Sequence, residues 1–390
     1  MTPTLRRQAG LSLVELMISI TIGLLITAGL VTVFANSSNT QYELRRTAQQ
    51  IENGRYAMDI LIQDLQVAGF YGSFRKLVAP TAIPTNPCTT TLTDLQGDIN
   101  VPVQAYAASS ATAQAALAAG CATAIPSADL AAGSDVLVIR RADTTAVDVK
   151  NGEVTPKGRI YLQVNPATYE FQTGNGAATS CTTKADGATA ATITRRCQYP
   201  NSTDTCSATC PVEPGGYIRP FHVHIYYVSP CNVFASGQTK CTAAADGGRP
   251  IPTLKRLEMS TDGTNANFQS IAIAEGVEFM KIAYGVDDTP SAINLDTGLI
   301  GDGSPDRYVT SIVLADLPNV VTARVDLLVR NPEPSLGYSD SKSYGLGVDP
   351  GIPTNPGVTI AGTSLQTNYR RHVYSTEVRL VNMSSRKEIP

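Results

Sequence analysis

The hydrophobic pattern changes character once within residues 1–80. From Leu16 to Ala35 the chain reads LMISITIGLLITAGLVTVFA, 20 residues without a charge. That is the length and composition of one membrane-spanning helix. Beyond it the apolar positions become periodic. Leu44, Ala48, Ile51, Met58, Ile62 and Leu65 recur at steps of three and four, with one step broken at Arg55. Arg45, Glu52, Asp59 and Gln63 fall on other faces, so this half reads as an amphipathic helix laid on a core. No proline occurs between Pro3 and Pro80. The pattern therefore predicts one helix over 11–79, with 11–35 in the membrane. Gly23, Gly29, Gly54 and Gly69 are its weak points or its close-packing positions.

From 80 onward the period changes. Residues 80–133 are rich in Ala, Thr and Pro and read as loops, with short helical pieces around 108–120. Strand-like runs follow: SDVLVIRR (134–141), GRIYLQV (158–164) and YIRPFHVHIYYV (217–228), then GVEFMKIAYGVD (276–287), VVTARVDLLVR (320–330) and HVYSTEVRLVN (372–382). Gly/Thr/Asp-rich stretches at 171–215, 236–250 and 335–370 read as long loops. The expected class is α+β: a long N-terminal helix packed on an antiparallel β-sheet domain with long disulfide-stapled loops. Three regions result: a leader at 1–10, the helix at 11–79 and a β-rich globular domain at 80–390.

Charge and cysteine locate the globular part. The net charge of −3, with no basic cluster, gives no footprint for nucleic acid. Eight cysteines (Cys88, Cys121, Cys181, Cys197, Cys206, Cys210, Cys231 and Cys241) lie only in the loop-rich middle. An even number there, with no CxxC pair, fits disulfides in an oxidising compartment rather than zinc. Sequence neighbours, 181 with 197 and 231 with 241, are the simplest pairing among the 105 that eight cysteines allow.

The segment RRQAGLSLVELMIS (6–19) sharpens the picture, because it sets a carboxylate, Glu15, at the mouth of the apolar run. A signal peptide would have a shorter apolar region ending at a small-x-small site. A plain anchor would leave Glu15 unexplained. Arg6 and Arg7 precede the run with no acid beside them, so the positive-inside rule keeps the N-terminus in the cytoplasm. A carboxylate near the membrane costs free energy unless it is paired.

Gly10-Leu11-Ser12-Leu13-Val14-Glu15-Leu16 resembles the prepilin peptidase site of the type IV pilin superfamily. The resemblance implies cleavage after Gly10 by prepilin peptidase and N-methylation of the new N-terminus. That residue is Leu11 here, where the family usually has Phe. It also implies that Glu15, fifth in the mature chain, pairs with the N-terminal amine of a neighbouring subunit. Further along, DLQVAGFYG, VEFMKIAYGVD, ARVDLLVRN and EVRLVN resemble the PilW type of minor pilin. For such a protein the family implies inner-membrane residence before assembly and a place at the pilus tip after it. Its partners would be other minor pilins, the major pilin and a tip adhesin, and its role would be to prime polymerisation.

Other sites weigh less. His222 and His224, two apart on a strand, share one face, where a structural role outweighs a metal pair. Asp302-Gly-Ser-Pro-Asp306 has the first, third and fifth ligand spacing of an EF-hand. Arg307 replaces its glycine and Val313 its glutamate, which excludes the motif. A looser calcium site using Asp302 and Asp306 stays open beside a polar turn, and no other cofactor is expected. GxSxG, HExxH and Walker patterns are absent, so no enzyme is expected. Two other roles remain: a minor pseudopilin of a type II secretion system, and a surface-binding tip module using the loops between Cys181 and Cys241. Loss of all pili on deletion marks priming, intact non-adherent pili mark binding, and failed secretion with pili retained marks the pseudopilin.

Overall fold

A computed structural model describes residues 12–74, 80, 82–107, 117, 121–147, 154–164, 169–176, 180–182, 194–196, 217–288, 303–347 and 358–388. The chain divides into two compact units, 1–49 and 50–390. One helix, α1 (Leu13–Gln66), contributes to both.

The second unit begins with the packed part of α1. Its buried positions are Gln50, Gly54, Ala57, Met58, Leu61, Asp64 and Leu65. Met58 and Leu65 sit where the periodicity places them, but Leu44 and Ile51 are exposed and Ile62 is only half-buried. The buried stripe thus runs through small and polar residues that a hydrophobic count does not register. The helix ends at Gln66, short of the expected residue 79. Gly69 takes φ 71°, a left-handed conformation that stops a helix at low cost, and its N–H is captured by the Arg140 carbonyl at 3.0 Å.

The strands are β1 (Val103–Tyr106), β2 (Val136–Ala142), β3 (Ile160–Val164), β4 (Tyr169–Thr173), β5 (Ser180–Thr182), β6 (Thr194–Arg196), β7 (Tyr217–Ser229) and β8 (Thr253–Thr261). They continue with β9 (Ala266–Glu275), β10 (Val277–Val286), β11 (Arg307–Val309), β12 (Val320–Arg330), β13 (Ser343–Leu346), β14 (Val358–Ala361) and β15 (Arg371–Arg379). Two short helices complete the set, α2 (Leu92–Asp98) and α3 (Val381–Glu388).

Seven strands form one sheet in the order β1-β2-β7-β3-β4, with β8 joining β7 to β9. β7 is long enough for three partners: 217–220 pair with β3, 221–226 with β2 and 224–229 with β8. Pro220, which cannot donate to a ladder, sits at the handover from β3 to β2. A second sheet runs β11-β10-β12-β15, all antiparallel. A single residue, Gly276, carries the chain from one sheet to the other. Its φ is 86°, and a Cβ there would lie 2.6 Å from the Arg330 carbonyl oxygen, so glycine is required.

This arrangement explains why the strands read as continuous apolar runs. The larger core gathers Ala57, Met58, Leu61 and Leu65 of α1 with Leu137, Ile139, Tyr226 and residues of β10 and β12. Val136, Val138, Phe221, Val223 and Ile225 face a second core on the opposite side of the sheet. β2 is therefore buried on both faces, each fully buried aliphatic side chain contributing about 1.5–3 kcal/mol.

Six of the expected strands form, but the closing run HVYSTEVRLVN ends as helix, with α3 starting at Val381. β8 and β9 lie where no strand is expected, and the helical piece in the first loop region is α2 at 92–98. Most of 108–120 lies outside the described residues.

Candidate functional site

The first unit contains the segment with the most distinctive chemistry. α1 is the one described helix long and apolar enough to cross a membrane, and none of its apolar window is buried. Leu13, Leu25 and Phe34 are 73%, 73% and 75% exposed. A helix can lie in lipid only if its polar groups are satisfied within it. Its hydroxyls obey that condition. Ser19 donates to the Glu15 carbonyl at 2.7 Å, Thr21 to Met17 at 3.0 Å, Thr27 to Gly23 at 2.7 Å and Thr32 to Gly29 at 2.8 Å. Glu15, in the first turn, is the exception: its side chain is exposed and is the only ionisable group between Leu13 and Ala35. At a helix N-terminus a carboxylate complements the helix dipole. Arg6, Arg7, Gly10 and Leu11 lie outside the described residues.

The second unit holds its part of α1 with polar ties. Gln50 donates to the Val329 carbonyl at 2.6 Å, and Asn53 to the Glu275 carbonyl at 3.1 Å. Asp64 is the strongest tie. It accepts from Arg141 Nε at 2.8 Å, His224 Nδ1 at 2.5 Å and the Tyr226 hydroxyl at 2.9 Å. Burial alone would raise its pKa. The hydrogen bond and charge of His224, with those of Arg141, overcome burial and hold the carboxyl well below the usual range. His222 points to the same face and meets Asp143 at 3.1 Å. Burial, His224 and Arg141 push its pKa down to about 4. Both histidines thus have aspartate partners within the fold. No group of three or more metal-type ligands occurs among the described residues.

Further buried ion pairs lock the second sheet. Arg371 grips Glu278 through two nitrogens, at 2.5 and 3.1 Å, and reaches Asp340 at 2.9 Å. Arg330 stacks 3.9 Å over the Tyr369 ring and meets Glu278 at 3.4 Å. Lys281 of β10 pairs with Asp135, just before β2, at 2.8 Å and so joins the two sheets. In sequence these are isolated charges far apart along the chain, so no local signal points to them. Only their placement in apolar runs, such as Lys281 within VEFMKIAYGV, hints at burial.

Two disulfides are described, Cys88–Cys121 and Cys231–Cys241, the second being the expected neighbour pair. Cys181 falls in β5, while Cys197, Cys206 and Cys210 lie outside the described residues. Asp302 does too. Asp306 accepts from the Asp288 N–H at 2.7 Å, Asp288 pairs with Arg307, and Asp287 accepts from the Gly303 N–H at 3.0 Å. These carboxylates hold a polar turn together. A cavity of about 540 Å³ lies beside α2, lined by Asn86, Asp94, Asp98 and Asn100 among others.

Comparison with known families accounts for both ends of this arrangement. Residues 5–31 match the prokaryotic N-terminal methylation motif, and residues 238–382 match the family described as type IV pilus-assembly protein W. Both matches are to families of the type IV pilus, and together they are consistent with a PilW-type pilin. No curated protein and no solved structure gives a match. The PilW-type region spans β8 to β15 and so contains the entire second sheet with its Arg371–Glu278–Arg330 cluster. The methylation motif covers Gly10, Leu11, Glu15 and most of the apolar run. Families of this kind are structural rather than enzymatic, and their N-terminal motif implies prepilin peptidase processing, contact with other pilus components and a membrane-compatible N-terminal helix.

Proposed function

We propose that this chain is a PilW-type minor pilin of a type IV pilus, which primes assembly within a low-abundance tip complex and helps to present an adhesin there. Arg6 and Arg7 hold the leader in the cytoplasm while the globular domain crosses the inner membrane and forms its disulfides. Prepilin peptidase then cuts between Gly10 and Leu11, and the Leu11 amine is methylated. The subunit leaves the bilayer sideways into a bundle of other minor pilins and the major pilin.

The observation that carries this reading is the chemistry of the described start of α1: an exposed apolar helix surface with its hydroxyls internally satisfied and a carboxylate, Glu15, exposed in its first turn. In a low-dielectric bundle a lone carboxylate is costly and a paired one is tolerated. The N-terminal amine of a neighbouring subunit supplies the pair, so Glu15 selects the register in which the helices associate.

Mass spectrometry of the N-terminal peptide from membrane-derived protein tests the processing step. A chain starting at Leu11 and heavier by one methyl group supports it, whereas a retained Met1 or Thr2 refutes it. Glu15→Ala is expected to be cleaved normally yet to enter pili poorly, and normal piliation by that variant would remove the pairing role.

A further inference from the structure

The cavity beside α2 has a volume of about 540 Å³. Small-ligand sites commonly occupy roughly 300–1,000 Å³ and combine apolar walls with a few placed polar groups. Here the lining joins apolar Ile83 and Pro84 to polar Asn86, Asp94 and Asp98. Asp94 and Asp98 stand four apart in α2 and so share one face of the helix. Each of the three polar groups is fixed through one atom. Asn86 Oδ1 accepts from the Cys88 N–H at 3.1 Å, next to the Cys88–Cys121 bridge. Asp94 Oδ2 accepts from the Thr89 hydroxyl at 2.8 Å, and Asp98 Oδ2 from Arg140 at 3.3 Å. Arg140 is itself fully buried and tied to the Val101 carbonyl at 2.9 Å. The second atom of each group, Asn86 Nδ2, Asp94 Oδ1 and Asp98 Oδ1, has no hydrogen bond among the described residues. Gly97, in the same lining, leaves open space, since a Cβ there would meet nothing within 4 Å.

We propose that this cavity binds a neutral saccharide, which bonds its hydroxyls to Asn86, Asp94 and Asp98 and rests its C–H face on Ile83 and Pro84. The donor and acceptor set selects this class. Two carboxylates, with no basic residue in the lining, repel an anion. A metal ion would need more ligands, and no group of three or more occurs among the described residues. An ammonium group donates but cannot accept, so it would leave the Asn86 amide N–H unused. A hydroxyl does both. A sugar ring carries hydroxyls at its rim and C–H groups on its faces, which matches acceptors and a donor set against an apolar wall. The site uses no residue of α1, so it does not depend on how the chain enters a filament.

Retention of the purified full chain, in detergent, on sugar-bearing surfaces tests this. The probes are D-glucose, D-galactose, D-mannose, N-acetylglucosamine and N-acetylgalactosamine, with immobilised spermidine as the cationic comparison. At least one sugar surface should retain the chain and release it to the same free sugar. Retention should not change between low and high salt, because the ligand carries no charge. Asp94→Ala should weaken it about tenfold, the worth of one hydrogen bond to a charged group. Gly97→Leu should abolish it by filling the open space, while leucine suits the helix. Both variants should melt with the parent. Retention by no sugar surface overturns the inference, and so does binding to spermidine alone. Retention that both variants keep would place the sugar elsewhere and overturns it too. A photoactivatable derivative of the retained sugar reads the site without any substitution. Its label should fall on the peptide spanning 80–100, and a label elsewhere refutes the assignment. Failure of any of these leaves the pilin reading untouched, since N-terminal processing is measured separately.

Discussion

Replacing Gly54 by alanine sets two known effects against each other. In a helix interior the change ordinarily stabilises by about 1 kcal/mol, because glycine leaves more backbone freedom to lose on folding. At residue 54 the added Cβ would lie 2.3 Å from Cε2 and 2.5 Å from Cζ of Tyr374. Carbon atoms rest at about 3.5–4.0 Å, so the ring would have to retreat by more than about 1 Å. That ring packs against the main core and stands edge-on to His372 at 4.8 Å, which restricts its retreat. Overfilling a packed site costs about 1–3 kcal/mol. The added Cβ lies far inside contact distance, which places the clash toward the upper part of that range, so it outweighs the propensity gain and a net loss of up to about 2 kcal/mol is expected.

Gly97 in α2 provides the control, since a Cβ there meets nothing within 4 Å and Gly97→Ala should stabilise. Thermal unfolding of the purified full chain, disulfides intact, separates the two, at about 2 °C per kcal/mol for a domain of this size. Gly54→Ala should melt lower than the parent and Gly97→Ala higher. Adding Tyr374→Ala to Gly54→Ala should recover the helix-propensity gain, which is a coupling between contacting residues. If Gly54→Ala raises the melting temperature as Gly97→Ala does, the ring yields freely and close packing is not why glycine stands there.

Asp64→Ala removes the acceptor shared by Arg141, His224 and Tyr226, and should cost about 3–5 kcal/mol in urea unfolding. A loss under about 1 kcal/mol would mean that the cluster is already hydrated. The chain should also lose stability with acid. His222 stays neutral in the fold down to about 4 while the unfolded chain takes up a proton near 6.5, so stability is full above 6.5 and declines between those values. Asp64, depressed in the fold, adds a further loss below its unfolded value of 3.8. His222→Gln should flatten the upper window, and an unchanged slope between pH 6.5 and 4 would contradict the assignment. Finally, the double Cys→Ser change at Cys88 and Cys121 opens a loop with a sequence separation of 33 and should cost about 4 kcal/mol, against about 3 for the Cys231–Cys241 loop with a separation of 10. The reverse order would show that chain entropy does not govern these bridges.

How much was legible in the sequence depended on whether a signal was local. The apolar run, Glu15 and the glycine before Leu11 lie within one short segment, so their chemistry could be read directly. β10 and β12 announced themselves as long β-branched runs because both are almost wholly buried. β8 and β9 did not, since Lys255, Arg256, Glu258 and Gln269 dilute their alternation and β9 is an open edge. The buried stripe of α1 was misplaced toward Leu44 and Ile51 for a related reason. Its actual contacts use Gln50, Gly54 and Asp64, whose burial depends on partners more than 75 residues away in sequence.

The same distinction explains how the two ends of α1 differ. In its packed part, polar residues are placed where a partner already exists: Gln50 finds two carbonyls, and Asp64 finds three donors. In its apolar part every hydroxyl turns back onto the helix, and among the described residues Glu15 has no partner. A buried charge survives in a protein when its counter-charge is fixed nearby. Asp64 has that counter-charge from Arg141 at 2.8 Å. Glu15 has none among the described residues, so on the proposed reading the two carboxylates serve different events: Asp64 the folding of a single chain, and Glu15 association with another. Neutralising the first should therefore lower the melting temperature of the isolated protein. Neutralising the second should leave it unchanged and be felt only on assembly. A melting temperature lowered by Glu15→Ala would show that Glu15 serves the fold after all.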